Sequence, residues 1–282
     1  MTSIGSKPLA GRVALVTGAN TGIGRVTARE LAARGARVFI ACRDVERAQA
    51  ALVEVRAAGD GNGECLVLDL GDFESIRRCA NDFLARDLPL DLLINNAGLA
   101  GARGLSASGF ELAFGVNHLG HFLLTQLLLE RIKQSAPARI VTVASRAHYR
   151  AGDIDFDAVR RPTKSRTGVP EYGVSKLANV LFSAELGRRL AGSGVSTYAL
   201  HPGVVASDVW RSVPWPFRSL IKLAMISTEE GAATTLYCAS APALDAESRL
   251  YYDRSQPKHP SRVAQDATLA ADLWARSDGW VR

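Results

Sequence analysis

Short apolar runs alternate along the chain with longer stretches in which apolar residues recur every three or four positions. Continuous apolar runs are typical of strands that are buried on both faces of a parallel sheet, whereas the periodic stretches predict amphipathic helices. Because strand and helix alternate throughout, the pattern predicts an α/β fold with a doubly wound parallel sheet flanked by helices. The predicted strands cover residues 12–17, 36–42, 64–70, 90–95, 138–145 and 194–200, with a short one near 249–253.

Two of the predicted helices are long, at residues 110–132 and 171–191. A further helix begins at the cap-like Thr228, with two glutamates in its first turn, and a polar helix ends the chain. No linker or internal repeat divides the sequence, so we expect a single domain over residues 1–282.

The first strand runs into a glycine-rich turn that reads TGANTGIG over residues 17–24. Glycines between a strand and a helix permit a tight turn and let the backbone approach a phosphate at the helix N-terminus. Such a loop can also be no more than a turn, but its position here favours dinucleotide binding. The candidate contacts are Gly18, Asn20, Thr21, Gly22, Ile23 and Gly24.

Arg43 follows the second predicted strand, about 20 residues past the glycine-rich turn. An acidic residue at this place binds the ribose 2′-hydroxyl of NAD, whereas an arginine suits the 2′-phosphate of NADP. Arg43 therefore favours NADP(H) over NAD(H). Asp44 comes directly after Arg43, so a second interpretation remains, in which Arg43 is a surface charge at the start of a helix.

Polar residues stand where the next strands end. Asp69 and Leu70 close the third strand, where Asp69 can meet an adenine amino group or cap the following helix. The fourth strand leads into Asn95-Asn96-Ala97-Gly98, small and amide residues suited to the crevice where such sheets bind ligands. Ser145 ends the fifth strand and can donate a hydrogen bond to a substrate oxygen. No G-x-S-x-G surrounds it, which argues against a hydrolase.

Tyr172 and Lys176 are four residues apart in the second long helix and so share one face. A phenol has a pKa of about 10, and lowering it by roughly three units takes on the order of 4 kcal/mol. A lysine together with a second positive charge in a dry site would meet that need, and an oxidised nicotinamide ring carries such a charge. A Tyr-x-x-x-Lys spacing also occurs by chance.

Asn117 interrupts the apolar stretch of the first long helix. A buried asparagine is usually a satisfied structural group, but here it could also hold a water molecule or the lysine. His118 and His121 in the same helix read as packing or surface histidines.

Composition limits the remaining classes. The chain is 47% apolar and carries a net charge of +6 that is scattered and not clustered, so it is a globular protein without a nucleic-acid footprint. Its four cysteines lack metal-type spacing, and we expect them to be reduced. The N-terminus has no apolar core for a signal peptide, and no run approaches the ~20 apolar residues of a membrane span. We therefore expect a cytoplasmic protein with no integral membrane segment and no metal site.

A strongly apolar, aromatic segment lies at residues 210–226, after the sixth strand and the sequence His201-Pro202-Gly203. It suggests a lid over a lipophilic pocket, or else an oligomer or membrane-surface contact.

The order of TGANTGIG, NNAG, Asn117, Ser145, Tyr172-x-x-x-Lys176 and His201-Pro202-Gly203 resembles the short-chain dehydrogenase/reductase superfamily over essentially the whole chain. The segments ACRD, VNHLGHF, SRAH and YGVSKLANVLF resemble its retinol dehydrogenase-like branch. The resemblance implies a single Rossmann-type domain. Residues 8–145 would form mainly the dinucleotide-binding half, and residues 146–282 would hold the catalytic helix, the substrate lid and the C-terminal part.

The resemblance also implies roles for single residues. Tyr172 would be the general acid/base, Ser145 would polarise the substrate oxygen, Lys176 would hold the nicotinamide ribose, and Asn117 would position the lysine through a water. Adenine would lie beside Asp69 and Leu70. The implied contacts to the adjoining ribose and to the nicotinamide end are Asn96, Ala97, Gly98, Tyr172, Lys176, Pro202, Gly203 and Val205.

The implied activity is interconversion of a lipophilic ketone or aldehyde and its alcohol, in a homodimer or homotetramer built through the long helices. Membrane-bound retinal reductases of this branch carry an N-terminal hydrophobic anchor that this sequence does not show, which puts retinoid in question as the substrate. Two alternatives stay open. One is a catalytically silent NADP(H)-binding regulatory protein, and the other is an enzyme of different chemistry such as a dehydratase or epimerase.

Overall fold

The computed structural model describes residues 7–203, 226–245 and 247–282. Its strands are β1 (Val13–Thr17), β2 (Arg37–Cys42), β3 (Glu64–Val67), β4 (Leu92–Asn95), β5 (Ala138–Val143), β6 (Val195–His201), β7 (Leu250–Asp253) and β8 (Gln256–Lys258). Over the described residues they form one sheet in the order β3-β2-β1-β4-β5-β6-β7-β8. Neighbours pair in parallel from β3 to β7, and β8 pairs antiparallel with β7.

The sheet confirms the predicted doubly wound α/β fold. All five residues of β1 and all four of β4 are buried, as expected for central strands that are covered on both faces. Successive side chains point to opposite cores, so that Leu15 packs on one face and Val16 on the other. The antiparallel β8 was not predicted because its residues are exposed and include Pro257, which breaks the apolar pattern.

Helices cover both faces of the sheet. They are α1 (Gly22–Ala33), α2 (Val45–Ala58), α3 (Phe73–Leu84), α4 (Leu112–Gln134), α5 (Val169–Arg189), α6 (Thr228–Ser240) and α7 (Ala267–Val281). Apolar residues of α1, α2 and α6 share one core with Val16 and Ile40. Those of α3, α4, α5 and α7 share the other core with Leu15 and Phe39.

Helix α4 is continuous but not uniform. A π-helical segment at Gly115–Leu119 lies between short and long α-helical parts, and it contains Asn117. Such segments are rare and often occur at functional sites. Among the described residues α4 is also long and apolar enough to cross a membrane, which the sequence-based expectation had excluded. However, 72% of its most apolar window is buried within the protein, as in the core helix of a globular fold.

The C-terminal helix α7 packs across α4 and α5. Trp274 packs against both Phe122 and Phe182, with ring centroids 5.0 and 6.0 Å away, and the guanidinium of Arg189 lies 4.4 Å from the centroid of its ring. Oγ of Ser277 lies 3.0 Å from Nε2 of His118. This part of the long-helix surface, which we expected to join subunits, is therefore covered by the same chain.

The helix N-caps differ from two of the sequence-based expectations. Asp72, and not Asp69, caps α3 by accepting a hydrogen bond from the N–H of Glu74. Ser227, and not Thr228, caps α6 in a reciprocal capping box with Glu230. Asp69 therefore does not cap α3, which was the alternative to its predicted contact with adenine.

Candidate active site

The candidate site lies at the carboxyl edge of the sheet. Strands β1 and β4 are neighbours there, although β1 continues towards β2 and β4 towards β5, so the crevice between them is the topological switch point. Ligands of open α/β sheets bind in this crevice. The structure brings the glycine-rich turn, Asn96, Ser145 and Tyr172 to this edge from four separate parts of the chain.

The glycine-rich turn has a conformation that requires glycine. Gly18 and Gly22 have φ of +65° and +55°, which side chains with a Cβ rarely adopt. A Cβ on Gly24 would lie 2.5 Å from the main-chain oxygen of Gly18, so the first turn of α1 packs directly on the end of β1. Thr21 is the N-cap of α1 but its side chain makes no capping bond. The helix N-terminus is thus open towards an anionic group.

Thr17 joins this turn to the segment after β4. Its Oγ1 accepts hydrogen bonds from the N–H groups of Asn96 and Ala97, both at 2.9 Å. Nδ2 of Asn96 donates to the main-chain oxygen of Thr17 at 2.8 Å. Asn96 and Ala97 are therefore fixed against β1. The sequence named these two residues but not Thr17, whose role depends on contacts 79 and 80 positions away.

The residues after β2 and β3 lie at the same edge. Arg43 is exposed, whereas Asp44 caps α2 by accepting from the N–H of Arg47 at 3.1 Å. Asp69 is half-buried, and its Oδ1 accepts from the N–H of Gly71 at 2.8 Å, while Leu70 is buried. Arg43 thus has a side chain that is free to meet solvent or a ligand, and Asp44 is engaged in the fold.

Helix α5 carries Tyr172 and Lys176 into the protein. Gly168 precedes it at φ +65° and Pro170 lies in its first turn, which defines where the helix begins. Tyr172 and Lys176 are 9% and 3% exposed, and Nζ of Lys176 lies 5.7 Å from the centroid of the tyrosine ring. The ammonium donates to the main-chain oxygen of Val143 at 2.8 Å. The pair is therefore buried, one turn apart, beside the end of β5.

Burial decides the protonation of this pair. It lowers the pKa of Lys176 to about 7, because a charged ammonium is costly away from water. Burial also raises the pKa of Tyr172, and a hydrogen bond with the Ser145 side chain partly offsets this rise. Lys176 therefore does not offset the cost of burying a phenolate at Tyr172.

Ser145 lies just beyond β5 with its main chain extended and its side chain half-buried. Its main-chain oxygen accepts from Nδ1 of His148 at 2.6 Å, and Nε2 of His148 accepts from the N–H of Ser261 at 3.1 Å. His148 thus ties Ser145 to the C-terminal part of the chain. This role could not be predicted from local sequence, because one partner of His148 is 113 positions away.

Asn117 is fully buried and uses its side chain within the protein. Its Oδ1 accepts from the N–H of Leu99 at 2.9 Å, and its Nδ2 donates to the oxygen of Leu99 at 3.0 Å and to Oγ of Ser175 at 2.9 Å. A Cβ on Gly98 would lie 3.3 Å from Oδ1 of Asn117 and 3.4 Å from Nζ of Lys176. Asn117 therefore joins the Gly98 loop to α5, next to Lys176 but without a direct bond to it among the described contacts.

The remaining predicted residues lie after β6. Pro202 and Gly203 are half-buried, and Gly203 has φ of +97° beside Ile226. Val205 and residues 210–225 of the apolar segment lie outside the described residues. Within the described ranges no group of three or more histidine, cysteine, aspartate or glutamate side chains is arranged to hold a metal ion, and the four cysteines are free thiols.

Two comparisons with known proteins agree with this geometry. A family model of short chain dehydrogenases matches residues 12–215. Retinol dehydrogenase 12 of Homo sapiens is 48% identical over 275 residues, which cover 94% of this chain and 85% of that protein.

Solved structures give the same result. An uncharacterised protein from Mycobacterium paratuberculosis superposes with a TM-score of 0.77 at 38% identity, and covers 97% of this chain and 94% of its own. The Pseudomonas aeruginosa RhlG/NADP active-site complex superposes with a TM-score of 0.70 at 27% identity, over 87% of this chain and 95% of its own. The chain therefore belongs to the short-chain dehydrogenase/reductase family of oxidoreductases, with retinol dehydrogenases among its relatives.

Proposed function

We propose that the protein is an NADP(H)-dependent oxidoreductase that interconverts a lipophilic ketone or aldehyde and its alcohol, with Tyr172 as general acid/base. The observation that carries this proposal is the grouping of three side chains at the carboxyl edge of the sheet. The side chain of Ser145 lies beside the phenol of Tyr172, whose pKa it lowers, and Nζ of Lys176 lies 5.7 Å from the centroid of the tyrosine ring. A hydroxyl pair of this kind can bind one substrate oxygen.

A dinucleotide fits the edge because the N-terminus of α1 is open there: the side chain of Thr21 makes no capping bond, and Gly18 and Gly22 hold the turn at positive φ. The turn and Thr21 would bind the pyrophosphate at the open N-terminus of α1. Asp69 and Leu70 would flank the adenine. Asn96, Ala97 and Gly98 would line the adjoining ribose, and Pro202, Gly203 and Val205 the nicotinamide end. When bound, NADPH supplies a hydride from its nicotinamide ring.

Arg43 supports NADP over NAD. Its side chain is exposed at the end of β2, and the neighbouring carboxylate of Asp44 is engaged as the cap of α2. A guanidinium there can bind the 2′-phosphate by charge-assisted hydrogen bonds. RhlG, a neighbour in fold, is described in complex with NADP.

Tyr172 would move the proton. Because burial raises the pKa of Tyr172, the phenol is protonated at neutral pH and can donate to the oxygen of a carbonyl as that oxygen gains negative charge. In the oxidative direction the phenolate must accept a proton, and a positive charge on Lys176 beside it favours that form. Ser145 would hold the substrate oxygen, and Asn117 would keep the Gly98 loop in place beside Lys176.

The substrate class and the setting of the enzyme are parts of the same proposal. The apolar composition of residues 210–226 supports a lipophilic substrate, with this segment as lid, oligomer contact or membrane-surface contact. The sheet takes strands from both halves of the chain, which supports one domain over residues 1–282. A cytoplasmic location and a homo-oligomer stay predictions. Since α7 covers part of α4 and α5, an oligomer would need other surfaces as well.

The experiment is a cofactor titration followed by a substrate panel. NADPH and NADH are titrated by fluorescence, and lipophilic aldehydes and ketones, including retinal and steroids, are then added. We expect NADPH to bind more tightly and to be oxidised only with a carbonyl present. Tyr172→Phe should lower turnover by about 10²-fold or more while NADPH still binds.

Tyr237→Phe, which removes a phenol from α6, is the matched control and should leave turnover unchanged. NADPH binding without turnover of any carbonyl would contradict the proposal and favour a regulatory NADP(H)-binding protein. Product mass distinguishes other chemistry, because carbonyl reduction adds two hydrogens and dehydration removes water.

A further inference from the structure

His121 connects two elements of the candidate site. It lies on α4 one turn after Asn117 and is 1% exposed. Its Nδ1 lies 3.0 Å from the main-chain oxygen of Asn117, and its Nε2 lies 2.9 Å from Oγ1 of Thr17 on β1. Both ring nitrogens therefore have a partner, and the partners belong to different elements.

The hydrogen bonds of Thr17 assign the tautomer of this histidine. The N–H groups of Asn96 and Ala97 both donate to Oγ1 of Thr17, and a hydroxyl has two acceptor positions and one proton. The proton of Thr17 is thus left for Nε2 of His121 at 2.9 Å, which is closer than the oxygen of Ile94 at 3.4 Å. Nε2 accepts, so Nδ1 carries the proton and donates it to Asn117.

The surroundings also keep the ring neutral. Burial lowers the pKa of His121 to about 4, and the nearby charge of Lys176 lowers it too, while the bond to the Asn117 carbonyl acts in the opposite direction. A neutral imidazole has one donor and one acceptor nitrogen, which is what Asn117 and Thr17 require.

The hydrogen bonds continue from Asn117 to the tyrosine. Nδ2 of Asn117 donates to Oγ of Ser175 at 2.9 Å, and that hydroxyl donates to the main-chain oxygen of Tyr172 at 2.8 Å. The contacts therefore lead from β1 through α4 to α5, passing at Asn117 from its main-chain oxygen to its side-chain amide. Its members in order are Thr17, His121, Asn117, Ser175 and Tyr172.

We propose that His121 is a positioning residue: as the neutral Nδ1–H tautomer it holds the carbonyl of Asn117, and through Asn117 and Ser175 it sets Tyr172 relative to the glycine-rich turn. The effect on turnover rests on the proposed function, whereas the tautomer and the position of Tyr172 do not. A small displacement of a reacting group costs rate because catalysis depends on alignment.

Two substitutions separate the two bonds of the ring. His121→Asn places an amide N–H near the former Nδ1 and can still donate to Asn117. His121→Gln places its amide near the former Nε2, so it keeps the contact with Thr17 and loses the donor to Asn117. We expect His121→Gln to lower kcat by about 10- to 100-fold, and His121→Asn to stay within about 3-fold of the natural protein. The Kd for NADPH should change less than kcat in both.

His118→Gln is the matched control. His118 lies on the same helix with the same 1% exposure, but its Nε2 bonds Ser277 on α7, far along the chain from the tetrad. A residue that only fills the core would give the same loss of thermal stability at either position and no selective change in kcat. We expect His118→Gln to leave kcat within about 3-fold.

A spectroscopic readout tests the proposal without turnover. In protein labelled in histidine ring nitrogens, the signals lost in His121→Asn should belong to a neutral Nδ1–H tautomer. In protein labelled at tyrosine Cζ, the Tyr172 signal should move in His121→Gln and stay in place in His118→Gln.

The outcomes are distinguishable. An Nε2–H tautomer, or a Tyr172 signal that is unchanged in His121→Gln, would overturn the positioning role even if no carbonyl is ever turned over. Turnover by the natural protein with equal kcat in His121→Gln would overturn it too. Failure of the natural protein to reduce any carbonyl, with the expected spectra, would instead contradict the proposed function alone.

Discussion

At the scale of the residue, the candidate site depends on groups held in the less charged form by burial. Burial raises the pKa of Tyr172 and lowers that of Lys176 to about 7, so the phenol is protonated at neutral pH and the lysine is close to its titration point. The amide of Asn117 makes three hydrogen bonds within the protein. A positive charge close to the phenol, on Lys176 or on an oxidised nicotinamide, would favour the phenolate that the oxidative direction needs.

Arg43 allows a test of cofactor choice at this scale. If its guanidinium binds the 2′-phosphate, Arg43→Gln removes charge-assisted hydrogen bonds worth about 1.5–3 kcal/mol. We expect the Kd for NADPH to rise by about 10- to 100-fold while the Kd for NADH changes little. Arg78→Gln removes the same charge from α3 and serves as control in the same fluorescence titration. Equal losses for both cofactors would refute the assignment.

The candidate tetrad could be predicted from sequence because its four residues occur in the order typical of the family that the chain resembles. The structure brings Asn117, Ser145, Tyr172 and Lys176 to the carboxyl edge of the sheet. Their chemical roles stay predictions. Thr17, His121 and His148 were missed because each has a partner on a distant part of the chain, 79 to 113 positions away. The spacing of residues along the chain does not predict contacts between distant elements. Only the assembled strands and helices show them.

At the scale of the element, the predicted strands and helices are present, with ends that differ by up to a few residues. The predicted end of β3 at residue 70 is three residues late, because Leu68 and Leu70 are buried by packing and not by the sheet. The π-helical segment in α4 has no signature in its local sequence. The position of α7 was also not predictable, since a polar C-terminal helix does not indicate which surface it covers.

Substitution of Trp274 tests how much the packing of α7 contributes to the free energy of unfolding. Its ring packs against Phe122 and Phe182, so Trp274→Ala should leave a cavity and lower the free energy of unfolding by about 3–5 kcal/mol. Trp274→Phe keeps an aromatic ring there and should cost less. Urea denaturation followed by circular dichroism gives both values. A loss below about 1 kcal/mol in Trp274→Ala would mean that α7 contributes little to the fold.

At the scale of the whole molecule, burial of several histidines links stability to pH. Desolvation lowers the pKa of His118 to about 3 and those of His121 and His201 to about 4, and it also lowers that of His148. In the unfolded chain each would titrate near about 6.5. The unfolded state therefore binds more protons between these values, and the folded state loses stability as the pH falls through that range.

We expect the urea midpoint to be highest above pH ~7 and to fall steadily from pH ~6.5 towards pH ~4.5. Each buried histidine adds a slope of up to about 1.4 kcal/mol per pH unit in that window. His118→Gln removes one such group, so its midpoint should depend less steeply on pH. A midpoint that is the same at pH ~7.5 and pH ~5 would show that these rings can be protonated in the folded protein.

The overall fold was the most predictable level, because continuous apolar runs that alternate with periodic stretches admit few arrangements. The structure and the relatives confirm the doubly wound sheet and the family. The substrate is the least predictable part. The composition of residues 210–226, the apolar segment that would select it, does not indicate which of its side chains would contact a substrate.

Transfer of a labelled hydride from NADPH to a carbonyl is the most direct test of the proposed function. The protein is mixed with NADPH deuterated at both C4 positions and with the carbonyl that oxidises NADPH fastest in the panel, and the product is analysed by mass spectrometry. We expect an alcohol with one deuterium on its carbinol carbon, formed by the natural protein and not by Tyr172→Phe. An unlabelled product, or oxidation of NADPH without an alcohol, would contradict it.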